Sequence, residues 1–135
     1  MSKLAEVAKA IKDALKNTGD LVQYGDLSYR NAYQKGKRSL SIALQNVEYT
    51  EGQRPIAEAT FIIQGSYAGA YDHYTEYLNW LEDVRTALLE DWDDGLEYVM
   101  EKDIENIALD VGVYADRGLF VIGLKVRFYN AIRET

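Results

Sequence analysis

His73 is the only histidine in this 135-residue chain and the first place to look for proton-transfer chemistry. It falls in the first turn of an expected helix, where the helix dipole disfavours protonation. The chain has no cysteine, hence no thiol nucleophile, thiolate metal site or disulfide framework. No serine motif accompanies His73, and a catalytic role finds little support. The carboxylates gather on one stretch and one helix face, as on a solvated surface, whereas paired-carboxylate catalysis would need them in a pocket. The turn Gly65-Ser66-Tyr67-Ala68-Gly69-Ala70 lies between a strand and a helix, a place where phosphates are cradled. It lacks GxGxxG spacing and a following Gly-Lys-Ser/Thr, and Asp72 stands where an anion would sit. The acidic run DWDDGLEYVMEKD (91–103), aligned on Gly95 as a calcium loop, would need oxygen ligands at Glu90 and Trp92, and an indole cannot ligate. No catalytic, cofactor or metal residue is assigned.

Function must then be sought in organisation. A hydrophobic fraction of 47% with 27% charged residues is that of an ordinary globular chain, and 135 residues suit one domain, 1–135. The charged N-terminus MSKLAEVAKAIKDALK lacks the apolar core of a secretion signal. No run approaches the roughly 18 apolar residues of a membrane span, so cytoplasmic synthesis is the expectation. Net charge is −7, which argues against a nucleic-acid-coating protein. Its distribution says more: residues 1–70 carry 9 Lys/Arg and 7 Asp/Glu, residues 71–135 carry 6 and 15. The chain is electrically two-ended.

The elements follow from periodicity. The central helix is expected in Tyr71–Asp91, with Tyr74, Tyr77, Leu78, Leu81, Val84 and Leu88 on one stripe, Trp80, Ala87 and Leu89 flanking it, and Asp72 as N-cap. Arg85 projects into that stripe and would snorkel past Leu81 and Leu88 or pair with an acid. A first helix is expected over residues 3–16, with Leu4, Val7, Ala8, Ile11, Ala14 and Leu15 inward and Ser2 as N-cap. Residues 19–38 read as a long loop, with Leu21–Tyr24 able to form a short edge strand. Residues 39–51 and 56–64 form a hairpin around Gly52-Gln53-Arg54-Pro55, and a parity change at Gln45-Asn46 implies a bulge. Ile107–Val113 and Leu119–Tyr129 form a second hairpin through Asp116-Arg117-Gly118. The expected fold is α+β: two helices packed on a mainly antiparallel, four-stranded sheet of two hairpins, in the order α-β-β-α-β-β.

Eleven tyrosines and two tryptophans are many for an acidic domain of this size, and aromatics with a polar tip are enriched at interfaces. Tyr29, Arg30, Tyr33, Lys35 and Arg38 in the long loop, Tyr67 before the central helix, Trp80 on its flank, and Asp93 and Asp94 after it are the candidate interface residues. An interaction protein is read before an enzyme.

The stretches LAEVAKAIKDAL, SLSIALQNVEYTEGQRPIAEATFIIQG, YTEYLNWLEDVRTALLED and IALDVGVYADRGLFVIGLKVRF, in this order in a small acidic chain, resemble the tail terminator (tail-to-head joining) proteins of long-tailed bacteriophages. The resemblance implies a homo-oligomeric ring, a hexamer, that caps the tail tube and joins it to the head without cofactor or catalysis. The implied partners are the tail tube protein and a head-completion or connector protein, with DNA only passing through the bore and no membrane involved. The implied location is the host cytoplasm during assembly and then the virion, at the head–tail interface. A ring needs head-to-tail contacts between different patches, which the two-ended charge suits, and an acidic bore would repel passing DNA. Free subunits could stay monomeric until they reach the tube. Two other classes stand beside this one: a small ligand-binding or enzymatic domain with a pocket between central helix and sheet, and an adaptor binding a protein through the tyrosine-rich loop.

Overall fold

The computed structural model describes residues 2–25, 38–50, 52, 55–70, 72–111 and 117–130. Helix α1 is Lys3–Leu15, and the Ser2 hydroxyl accepts a hydrogen bond from the Ala5 N–H at 3.1 Å. That satisfies one of the helix's orphan donors, as expected of a serine cap. Val7, Ile11 and Leu15, one turn apart, are fully buried. Strand β1 is Leu21–Tyr24, β2 is Arg38–Thr50 and β3 is Ile56–Ala68; helix α2 is Tyr74–Leu89, followed by β4, Val99–Val111, and β5, Arg117–Tyr129.

The α+β class holds, but the sheet has five strands rather than four, in the order β1-β2-β3-β5-β4. Leu21–Tyr24, which alternation could mark only as an edge possibility, pairs in parallel with Ser39–Ile42. It makes the sheet mixed, because every other pairing is antiparallel. The β2–β3 register shifts between Leu44 and Asn46, where the parity of the sequence changes. Strand β4 starts at Val99, so Val99–Asp103 of the acidic run is strand. Register shifts between Val99 and Glu101 and between Ile104 and Asn106 break the alternation there, which is why only its second half read clearly.

Both helices cover one face of this sheet. Alternate residues Ala57, Ala59, Phe61 and Ile63 of β3 and Phe120, Ile122, Leu124, Val126 and Phe128 of β5 point into that layer and are buried. From α2 come Tyr77, Trp80, Leu81, Val84 and Leu88. The helix meets the core turned roughly 40° towards Trp80 from the stripe that the sequence predicts. Tyr74 is therefore exposed, Leu78 is half-buried, and Arg85 lies outside the apolar layer with an ion pair to Glu82 at 3.7 Å. Arg85 neither snorkels through the stripe nor enters the core. The N-cap of α2 is His73, without a side-chain cap, so Asp72 sits one residue early for the role given to it.

Aromatic packing fixes the tilt of α2 on the sheet. Gly65 faces Phe120 across β3 and β5, and a side chain at Gly65 would stand closer than 3.0 Å to the Phe120 ring. Gly118 makes the same room for Tyr77 and Ala70. Phe120 is held at 4.9 Å, edge-on, by Trp80. The Tyr77 hydroxyl donates to the Leu119 carbonyl at 2.8 Å, and the Trp80 Nε1–H donates to the Thr18 carbonyl. Both of these polar tips have a partner, as their desolvation requires.

Candidate interaction surfaces

Of the sequence-derived interface residues, Tyr29, Arg30, Tyr33 and Lys35 lie outside the described residues, as do Tyr71 and the turn residue Asp116. Tyr67 and Trp80 belong to the core, at 8% and 2% exposure. Tyr67 packs edge-on against Tyr77 and Trp80 at 6.2 and 6.0 Å. Neither offers a surface on the folded chain. Arg38 begins β2 instead of ending a loop, and it pairs with Asp20 at 3.6 Å. Asp93 and Asp94 do lie together, in the corner between α2 and β4.

That corner is built by short-range bonds: Asp94 N–H to the Asp91 carbonyl, Leu96 N–H to Asp93, and Val99 N–H to Leu96. Trp92 folds back on the helix, donating to the Leu88 carbonyl at 2.8 Å. Lys102 closes the corner, with its ammonium 2.7 Å from Asp93, bonded to the Glu90 carbonyl, and 5.1 Å from the centre of the Trp92 ring. Asp93 is thereby an internal counter-ion, while Asp91, Asp94 and Glu97 remain exposed. Beside the corner Ala14, Ala87, Glu90, Asp91 and Trp92 line an open depression of about 330 Å³. Among the described residues no group of His, Asp and Glu could hold a metal ion. His73 is half-exposed and pairs with Glu76 at 3.0 Å.

The face of the sheet away from the helices carries a ladder of charges. Lys125 lies 2.6 Å from Glu105 and 3.1 Å from Glu58, and Arg127 lies 3.1 Å from Glu101 and 3.5 Å from Glu58. The Glu105 and Glu58 carboxylates hold the Lys125 ammonium well above its ordinary value. Register places Glu48 directly opposite Glu58, an unfavourable pair, and Glu58 turns away to the two cations. Towards the other end of this face Ser39 and Ser66 are opposite each other and fully buried. Neither hydroxyl has a hydrogen-bond partner among the described residues.

The two edges of the sheet differ. Strand β1 covers β2 only as far as Ile42, whose carbonyl accepts from the Gly25 N–H. Among the described residues, Ala43–Thr50 has no strand beside it on that side, and Leu44 (43%) and Tyr49 (53%) are exposed. Nearby Lys12 lies over the Tyr24 ring at 4.6 Å, and Lys9 and Lys16 share its helix face. At the opposite edge β4 runs 13 residues with no outer neighbour among the described residues. It exposes Met100 (57%) and Leu109 (49%) among Glu97, Glu101, Asp103 and Glu105. Sequence reasoning found the charge imbalance but missed that it separates across the sheet, because edge membership is set by strand order and by the parallel β1.

No protein-family model matches the sequence, and a search of curated proteins found no match. A solved structure described as "without transmembrane region", from Akkermansia muciniphila, is similar with a TM-score of 0.37 and 11% identity, over 99% of this chain and 89% of that one. A likeness that distant carries no argument about this chain. Among the described residues no helix is long and apolar enough to cross a membrane.

Proposed function

We propose that the chain is a structural subunit that associates with copies of itself into a ring, capping a bacteriophage tail tube and joining it to the head. The observation that carries this reading is the placement of charge at opposite edges of one sheet. The β4 edge and the neighbouring corner bear the exposed Asp91, Asp94, Glu97 and Asp103, whereas Lys9, Lys12 and Lys16 share a helix face beside the β1–β2 edge. Two unlike patches on one subunit are what a head-to-tail contact requires, and such contacts close into rings or run on as filaments. Hexamer number, tube and connector partners, and a virion location come with the family resemblance and belong to this proposal. The reading of a ligand pocket between central helix and sheet is disfavoured, because that space is filled by Tyr67, Tyr77, Trp80 and Phe120. The test is to mix the protein with purified tail tubes of the phage that encodes it and image the tube ends by electron microscopy. A ring at one end of each tube is expected. Bare ends at every protein concentration would sink the reading.

A further inference from the structure

Strand edges are templates for further strands, and proteins that stay monomeric guard them with charges, prolines, bulges or short lengths. Here β4 is guarded by carboxylates and two register shifts, and it is long. The free half of β2 has one bulge and, among Ala43–Thr50, a single charged residue, Glu48. Both carry exposed apolar side chains, Leu44 and Tyr49 on one and Met100 and Leu109 on the other.

We propose that the free half of β2, Ala43–Thr50, adds to β4, Val99–Val111, of a second copy, so that the sheet continues from subunit to subunit. This rests on the self-association proposed above and names the surfaces that make it. Charge selects the pairing. Two β4 edges would bring the exposed Asp103, and Glu97 just before the strand, near their own kind, which is disfavoured. Two β2 edges would pair but leave both β4 edges open. A β2 edge beside β4 places the lysine face of α1, with Lys9, Lys12 and Lys16, near the acidic strand and its corner. The main-chain bonds supply affinity, and the exposed side chains of alternate residues set the register. Because the two edges differ, the contact repeats head to tail.

The absence of cysteine allows a direct test, since an introduced thiol is the sole thiol of its chain. Tyr49→Cys, Met100→Cys and Leu109→Cys all replace exposed side chains and leave the core intact. The variants are mixed in pairs, with and without tail tubes, and treated with a short thiol-reactive crosslinker. Tyr49→Cys should crosslink to Met100→Cys or to Leu109→Cys, and which of them reacts reads out the direction of pairing. A chain carrying both members of the reactive pair should give a ladder of dimer, trimer and larger species. Crosslinking of Tyr49→Cys only to itself would mean an isologous β2–β2 dimer and overturn the proposal, as would no crosslink in any mixture. The tube-capping assay separates the two readings. Capped tubes without mixed crosslinks would discard this pairing and keep the tail reading. Mixed crosslinks with bare tubes would do the reverse.

Discussion

Replacing Gly65 by alanine tests whether the aromatic layer fixes helix on sheet. The added methyl would stand closer than 3.0 Å to the Phe120 ring, so either the ring or the strand must move. The ring has little freedom, being wedged by Trp80 at 4.9 Å and flanked by Tyr77 at 6.4 Å. Forcing an extra methyl into a packed core costs about 1–3 kcal/mol, and expelling the ring altogether is bounded by the roughly 3–5 kcal/mol of deleting a buried phenylalanine. Alanine offsets about 0.5–1 kcal/mol of this by lowering the backbone entropy lost in the strand. The net expectation is a loss of about 1 kcal/mol. Urea denaturation followed by tryptophan fluorescence measures it, because Trp80 touches the displaced ring. The cycle with Phe120→Ala isolates the cause: with the ring gone, Gly65→Ala should cost nothing or stabilise slightly. A wild-type-background loss under about 0.5 kcal/mol, or an undiminished loss without the ring, would refute the packing argument.

Two further outcomes follow from the same layer. Leu81→Ala should cost about 2–5 kcal/mol in chemical denaturation by opening a cavity under α2, and a loss under about 1 kcal/mol would mean that the site collapses or the helix faces elsewhere. Burial first, and then the hydrogen bond to Glu6, raises the Tyr98 hydroxyl above its ordinary value of 10.0. The folded state therefore holds a proton that the unfolded chain releases above pH 10, so this contribution is complete below that pH and is lost as pH rises further. Alkaline unfolding profiles should show wild type losing stability above pH 10 more steeply than Tyr98→Phe, and parallel profiles would remove Tyr98 from the account.

Much of the fold was legible because β3 and β5 are inner strands with one face on the helices. Their alternation, Ala57 to Ile63 and Phe120 to Phe128, is a direct imprint of that burial. The bulge in β2 was legible as a parity change. Strand β1 has only four residues, half-exposed, and belongs to the sheet through parallel pairing that no local pattern announces. The first half of β4 was hidden because two register shifts and its acidic residues imitate a loop. Tyr67 and Trp80 were misread as surface aromatics for a related reason. Tyr67 packs on Tyr77 and Trp80 across from Gly118, and the Trp80 Nε1–H finds the Thr18 carbonyl; most of these partners are distant in sequence, so nothing local announces the burial.

The candidate interface shifts accordingly. Counting acids along the second half of the chain overstates what a neighbour would feel, because several are already matched within the subunit. Glu101 and Glu105, together with Glu58 of the first half, surround Lys125 and Arg127, and Asp93 holds Lys102 at 2.7 Å. Reversing Asp93 to lysine would set two ammonium groups together inside the corner and confuse folding with assembly. The exposed Asp91, Asp94, Glu97 and Asp103 are the carboxylates that project a field beyond the subunit. Exposed pairs contribute only about 0–1 kcal/mol each and are screened by salt, so they orient an approaching subunit without holding it. In the proposed pairing, holding would fall to main-chain bonds along the open edges and to Leu44, Tyr49, Met100 and Leu109. An interface so divided would form slowly in high salt yet, once formed, come apart slowly, since the proposed pairing puts the steering charges at its rim and the strand contacts at its centre.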